Sequence, residues 1–142
     1  MSGTDEWLKA NFESEITNPT LFTRALTHGS TGEADYQRLE FLGDRVLGLV
    51  IADMLYARFP DEPEGRLSHR LNSLVAGTTC AAVARSIAVQ PHLRLGKQAR
   101  DDGARESDNV LGDVMEALVG AVYIDAGPGR STASRPHFAS FV

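Results

Sequence analysis

Residues 36–59 read YQRLEFLGDRVLGLVIADMLYARF. Leu39, Phe41, Leu42, Val46, Leu47, Val50, Ile51, Met54 and Leu55 recur in this stretch at helical spacing, and Pro60 and Pro63 close it, which predicts one long helix. Working outward, the punctuation stays helical. Thr4 is placed to cap a short helix through Trp7 and Leu8, and Asn18-Pro19 to open one over Leu21 to Leu26. Further helices are expected over Gly65 to Val75, over Thr78 to Ala88 after the break at Gly77, and over Asn109 to Ile124. Gly29 to Gly32 reads as a loop, as does the connection containing Pro91 and Gly96 to Gly103. There is no internal repeat and no convincing strand alternation, so the fold class is all-α.

The chain has 142 residues, 14 Lys+Arg against 19 Asp+Glu, 42% hydrophobic residues and one Cys. That length suits one domain with a real core, and the composition excludes wholesale disorder. A single cysteine excludes a disulfide framework and a multi-cysteine zinc site, and suits a reducing compartment. The net charge of −5 argues against coating nucleic acid by bulk electrostatics, while leaving room for a local basic face. Asp5 and Glu6 near the N-terminus leave no signal-peptide core, and Asp44, Asp53, Asp113 and Glu116 interrupt every candidate membrane span. Residues Gly127 to Val142, GPGRSTASRPHFASFV, have no acid and no helical period. They are expected to form a loose tail, so the domain is drawn over residues 1–126 and the tail over 127–142.

The informative feature is where the acids sit. Glu40 and Asp44 are four apart in the long helix, and Asp113 and Glu116 three apart in the last one, so each pair shares a helix face. Both helices are apolar around most of their circumference and are expected to be central and buried. A buried, unpaired carboxylate costs several kcal/mol, and a neighbouring like charge adds to the cost. Protons, basic partners or a divalent cation must offset it. Arg38, Arg45, Arg66 and Arg70 could serve as ion-pair partners, but no Lys or Arg lies within the last helix. An all-oxygen set favours hard cations such as Mg²⁺ or Mn²⁺, and so phosphodiester or phosphate-ester chemistry. A di-iron bundle would need Glu-x-x-His pairs, and none of the four histidines follows a Glu at that spacing.

At these residues the sequence resembles the ribonuclease III nuclease domain. The resemblance rests on Gln37 to Leu47 (QRLEFLGDRVL), Ala25 to Ser30 (ALTHGS), Phe59-Pro60, Glu64-Gly65 and Gly112 to Leu118 (GDVMEAL), and spans roughly Trp7 to Gly127. It implies a homodimeric, all-α endonuclease for double-stranded RNA, dependent on Mg²⁺ (with Mn²⁺ as substitute) and leaving 5′-phosphate and 3′-hydroxyl ends. It also implies cytoplasmic work on ribosomal and messenger RNA precursors. The family's metal-binding acids map onto Glu40, Asp113 and Glu116, and its catalytic acids onto Asp44 and Glu116. Gln37, where the family usually has Glu, and Glu64 map onto supporting positions, and the Gln predicts weakened activity. The family's last nuclease helix and its double-stranded-RNA-binding domain, which grips about 16 base pairs, have no recognisable counterpart after Gly127.

Smaller signals carry less. Twelve of the 14 basic residues are Arg, which suits bidentate phosphate contact. Arg94, Lys97, Arg100 and Arg105 are read mainly as solvated and balanced by Asp101, Asp102 and Glu106. His28 is read as capping the loop that follows it, and Cys80 as a small core residue. Phe41 fits either the core or a partner subunit. The rival functional reading is a non-catalytic RNA-binding or ribosome-associated module on the same fold, which retention of the four acids argues against. A truncated, inactive product is the third.

Overall fold

The computed structural model describes residues 3–12 and 16–126. In chain order the helices are α1 (Gly3–Phe12), α2 (Pro19–Ala25), α3 (Gln37–Arg58), α4 (Glu64–Leu74), α5 (Gly77–Ser86), the short α6 (Lys97–Asp101) and α7 (Asp108–Ala126). Single 3₁₀ turns lie at Gly29–Thr31, Gln90–His92 and Ala104–Glu106. The all-α expectation holds, with one isolated bridge, Thr27 to Arg94, and no strand among the described residues. No helix there is long and apolar enough to cross a membrane. The tail expected over 127–142 lies outside the described residues.

The core is built around α7, which packs chiefly against α3 and α5. Leu111, Val114, Met115, Ala117, Leu118, Val119, Ala121 and Val122 are all within 1% of complete burial. Such a helix is apolar on every side because every side is covered. The expectation of a central helix fails for α3. Its inner face buries Leu39, Val46, Leu47, Val50, Ile51 and Leu55, but Phe41 (64%), Leu49 (70%) and Tyr56 (77%) stand exposed along an outer stripe. Periodicity counts apolar residues without saying how many faces are covered.

What brings α3 and α7 into register is a pair of glycines. A Cβ at Gly43 would overlap the Glu116 carbonyl oxygen, and a Cβ at Gly120 would overlap the Leu39 carbonyl oxygen. The two backbones touch, with each glycine seated against the other helix. On the opposite side, Gly112 brings α7 against α5, where an added Cβ would come 2.9 Å from the Gly77 carbonyl oxygen.

Two local expectations are corrected. Thr4 lies inside α1, and its Oγ1 pairs with His92 Nδ1 at 2.9 Å, while Trp7 stacks on the His92 ring at 4.3 Å. The helix expected to reach Ala88 ends at Ser86, because Ala88 adopts a left-handed φ of 57°. There Val89 N–H reaches Ala84 O and Ala88 N–H reaches Arg85 O, both at 3.1 Å, a Schellman cap built without glycine.

Gly43→Ala must push α3 off α7. It is expected to lose on the order of 3 kcal/mol or more by urea denaturation, with the slope of the transition unchanged.

Candidate active site

The glycine contact carries the acids with it. Gly43 lies between Glu40 and Asp44, and the carbonyl it meets belongs to Glu116, one turn along α7 from Asp113. All four carboxylates are half-buried at this crossing. The four residues picked out by spacing on two separate helices are therefore brought together.

Their mutual influence is strong. Burial raises the Glu40 carboxyl above its usual range, and Asp113 and then Asp44 push it further in the same direction. Glu40 and Asp113 share a hydrogen bond, which two carboxyl groups can make only with a proton between them. Burial also raises Asp113, against the opposing pull of its hydrogen bonds to Glu40 and Tyr36 and of the His28 charge. Glu116 is pushed up to about 8, first by burial and then by Asp44, Glu40 and Asp113, with Arg45 pulling the other way. Carboxylates set this close keep protons at a pH where isolated ones have lost them.

The basic partners weighed for these acids are mostly spent elsewhere. Arg45 bonds Asp44 at 3.0 Å and lies 4.1 Å above the Phe41 ring. Arg70 forms a two-pronged bond to Glu62, at 2.7 and 2.9 Å, and Arg66 joins the same carboxylate at 3.6 Å. In the connection before α7, Arg94 pairs with Glu33 rather than a neighbouring acid, Arg105 donates to the Gln90 carbonyl, and Glu106 binds Arg85. Only Lys97 keeps a local partner of the kind expected, Asp101 at 3.3 Å.

The two supporting positions are not gathered in. Gln37 is exposed at the first residue of α3, its N–H bonded to Asp35 Oδ1 at 2.9 Å. Glu64 is exposed at the start of α4, where Leu67 lines a groove with Leu55 and Tyr56. That is the far end of α3, roughly 25 Å along the axis from Glu40 at 1.5 Å per residue. Two other residues do touch the cluster. Tyr36 hydrogen-bonds Asp113, and its phenol is raised by burial and by that same carboxylate. Cys80 is a fully buried core residue, as expected, but its Sγ lies 4.0 Å from Glu116 Oε1, and burial followed by the Glu116 charge pushes its thiol up to about 12. Tyr36 sits directly before the QRLEFLGD run, which is the only sequence signal it gave.

Among the described residues no three His, Cys, Asp or Glu side chains converge closely enough to hold a metal ion as they stand. The donor chemistry nevertheless fits a hard divalent cation: four oxygen-donor side chains, half-buried, with protons and one arginine as their compensation. Glu40, Asp113 and Glu116 are the residues that would hold it.

Known proteins share this arrangement. The chain is 63% identical over 121 residues to Ribonuclease 3 of Zymomonas mobilis, covering 85% of this chain and 49% of that protein. It spans about half the length of the curated relatives it matches. The nuclease domain of ribonuclease III from Campylobacter jejuni superposes with a TM-score of 0.90 at 30% identity, covering 99% of this chain and 97% of that one. A second structure of that domain, described as flexible in the region involved in dimer formation, gives 0.89 at 31% identity, with 95% and 96% covered. The Ribonuclease-III-like family profile matches residues 18–135, and with the acids of α3 and α7 meeting as they do, the chain belongs to that family.

Proposed function

We propose that this domain hydrolyses phosphodiester bonds in double-stranded RNA with the help of Mg²⁺, leaving 5′-phosphate and 3′-hydroxyl ends. The observation that carries the reading is the meeting of four half-buried carboxylates at a backbone contact of two glycines, in a chain of the ribonuclease-III-like family. Glu40, Asp113 and Glu116 hold the cation; Asp44, tethered by Arg45, stands beside Glu116 as the second catalytic acid. When bound there, Mg²⁺ supplies Lewis-acid activation of water and offsets charge on the phosphate oxygens. Glu116 gives up its proton as the cation enters and keeps one otherwise. Gln37 brings no charge to the rim, so the rate is lower than an acid there would give. Processing of ribosomal and messenger RNA precursors in the cytoplasm is the setting this activity suits.

The working unit is a dimer. Phe41 projects into solvent beside a groove of about 650 Å³ lined by Leu21, Arg24, Leu39, Leu42 and Ile124. Leu49 and Tyr56 continue the apolar stripe on the same side of α3. An exposed aromatic next to an apolar groove is self-complementary under a two-fold axis. Glu64, at the far end of α3, supports a site only on the second copy.

Glu116→Gln keeps the shape and removes the charge. Cleavage of a labelled RNA duplex in Mg²⁺ at low salt is expected to fall on the order of a hundredfold or more, with the fold intact by circular dichroism. Metal-dependent cutting that survives this change would sink the assignment.

The raised acids also set a pH dependence. Freed of divalent cations, the folded chain holds protons between about pH 4.5 and 8 that the unfolded chain has released, so stability falls as pH rises through that window. The melting temperature is expected to be several degrees lower at pH 8 than at pH 5.5. Glu116→Gln flattens the slope, and Mg²⁺ at pH 8 restores the loss by mass action.

Phe41→Asp places a charge on the stripe. Sedimentation should show the dimer giving way to a folded monomer with reduced cleavage.

A further inference from the structure

The Ala25 to Ser30 segment belongs to the family pattern, yet it contributes no group to the chemistry above. Its contacts lead to one residue. The buried Thr27 accepts the Tyr36 N–H at its carbonyl, 3.0 Å away. The segment itself is clamped across the fold: His28 N–H donates to the Arg94 carbonyl at 2.9 Å, and Arg94 N–H to the Leu26 carbonyl at 2.8 Å. The His28 ring meets the Tyr36 ring edge-on, with centroids 6.0 Å apart. His28 Nδ1 accepts Ser30 N–H at 3.1 Å, and Ser30 Oγ in turn accepts Gly96 N–H at 2.8 Å, so the histidine ring is fixed from its far side.

Tyr36 is thus held at its backbone and its ring. Only 7% of it is exposed, and its carbonyl accepts Glu40 N–H at 2.8 Å, tying it to the first turn of α3. Its hydroxyl donates to the Asp113 carboxylate on α7. One residue therefore spans from the backbone of one acid to the side chain of another, across the two helices that carry the site.

We propose that Tyr36 is the positioning residue of the acid cluster, holding Asp113 in the orientation a divalent cation requires, and that the Ala25 to Ser30 segment serves to hold Tyr36. This rests on Glu40, Asp113 and Glu116 being the cation ligands. A carboxylate rotates freely about its last bond unless a donor fixes one oxygen. Fixing it lowers the ordering cost of coordination, and groups that do so are worth about 10- to 100-fold in metal affinity. Tyr36 touches neither substrate nor reacting atoms, so its loss acts through affinity for the cation.

Calorimetric titration of the metal-free chain with Mn²⁺ tests this, comparing wild type with Glu116→Gln, Tyr36→Phe and His28→Leu. Wild type should bind, and Glu116→Gln should bind far more weakly. Tyr36→Phe keeps the ring and loses the hydroxyl. Its Kd for Mn²⁺ is expected to rise roughly tenfold. KM for duplex RNA should stay unchanged, and kcat should recover as Mn²⁺ is raised. His28→Leu, which retains the hydroxyl but not its neighbour, should shift the Kd the same way by less. Wild-type Mn²⁺ affinity in Tyr36→Phe overturns the proposal, as does lost activity that added cation does not restore. If Tyr36→Phe fails to fold, His28→Leu decides: weakened binding supports the proposal and unchanged binding overturns it. A wild type that binds no Mn²⁺ overturns the cation site itself, and this inference with it.

Discussion

Everything in this domain depends on the backbone contact between α3 and α7. Gly43 and Gly120 remove the two Cβ atoms that would hold the helices apart, and the Glu116 and Leu39 carbonyls occupy the space. Helices with ordinary side chains at a crossing keep their axes 8–10 Å apart. Here the contact sits inside the functional signature: Gly43 is the residue before Asp44, and its partner carbonyl belongs to Glu116. Packing and chemistry are specified by the same few residues, so neither can drift without the other.

The contact sets like charges against one another. Four acids at one crossing raise each other's affinity for protons, and the arginine nearest them, Arg45, compensates only partly. The surrounding core carries that load. The core face of α7 is almost completely buried against α3 and α5, and the rigid apolar frame leaves the carboxylates no way to move apart by bending the helices. Perturbed acids over an intact core mark a site kept for what it binds rather than for stability.

The outer side of α3 has a different role. Phe41 lies one residue beyond Glu40, yet points away from the cluster with Arg45 stacked on its ring. One helix thus presents acids to its neighbour on one face and an apolar stripe to solvent on another. The unit that cuts RNA and the surface that pairs two copies are joined through a single helix, and a shift of α3 is felt by both.

The sequence by itself determined the helices, because helical spacing and proline or glycine punctuation are local. It also determined the acid set, since Glu40 with Asp44 and Asp113 with Glu116 must share faces wherever their helices go. It could not decide that the two faces meet, that α3 is covered on one side only, or that Arg66 and Arg70 turn to Glu62. Helix boundaries set by a left-handed residue such as Ala88 were equally hidden, because nothing in alanine announces that conformation. Glu64 carried the family pattern but lies at the wrong end of α3 for its own chain, and Tyr36 looked like a plain aromatic until Thr27, His28 and Asp113 closed around it. The division has one physical cause. Periodicity fixes which residues share a helix face, but only packing between segments distant in the chain fixes what that face touches.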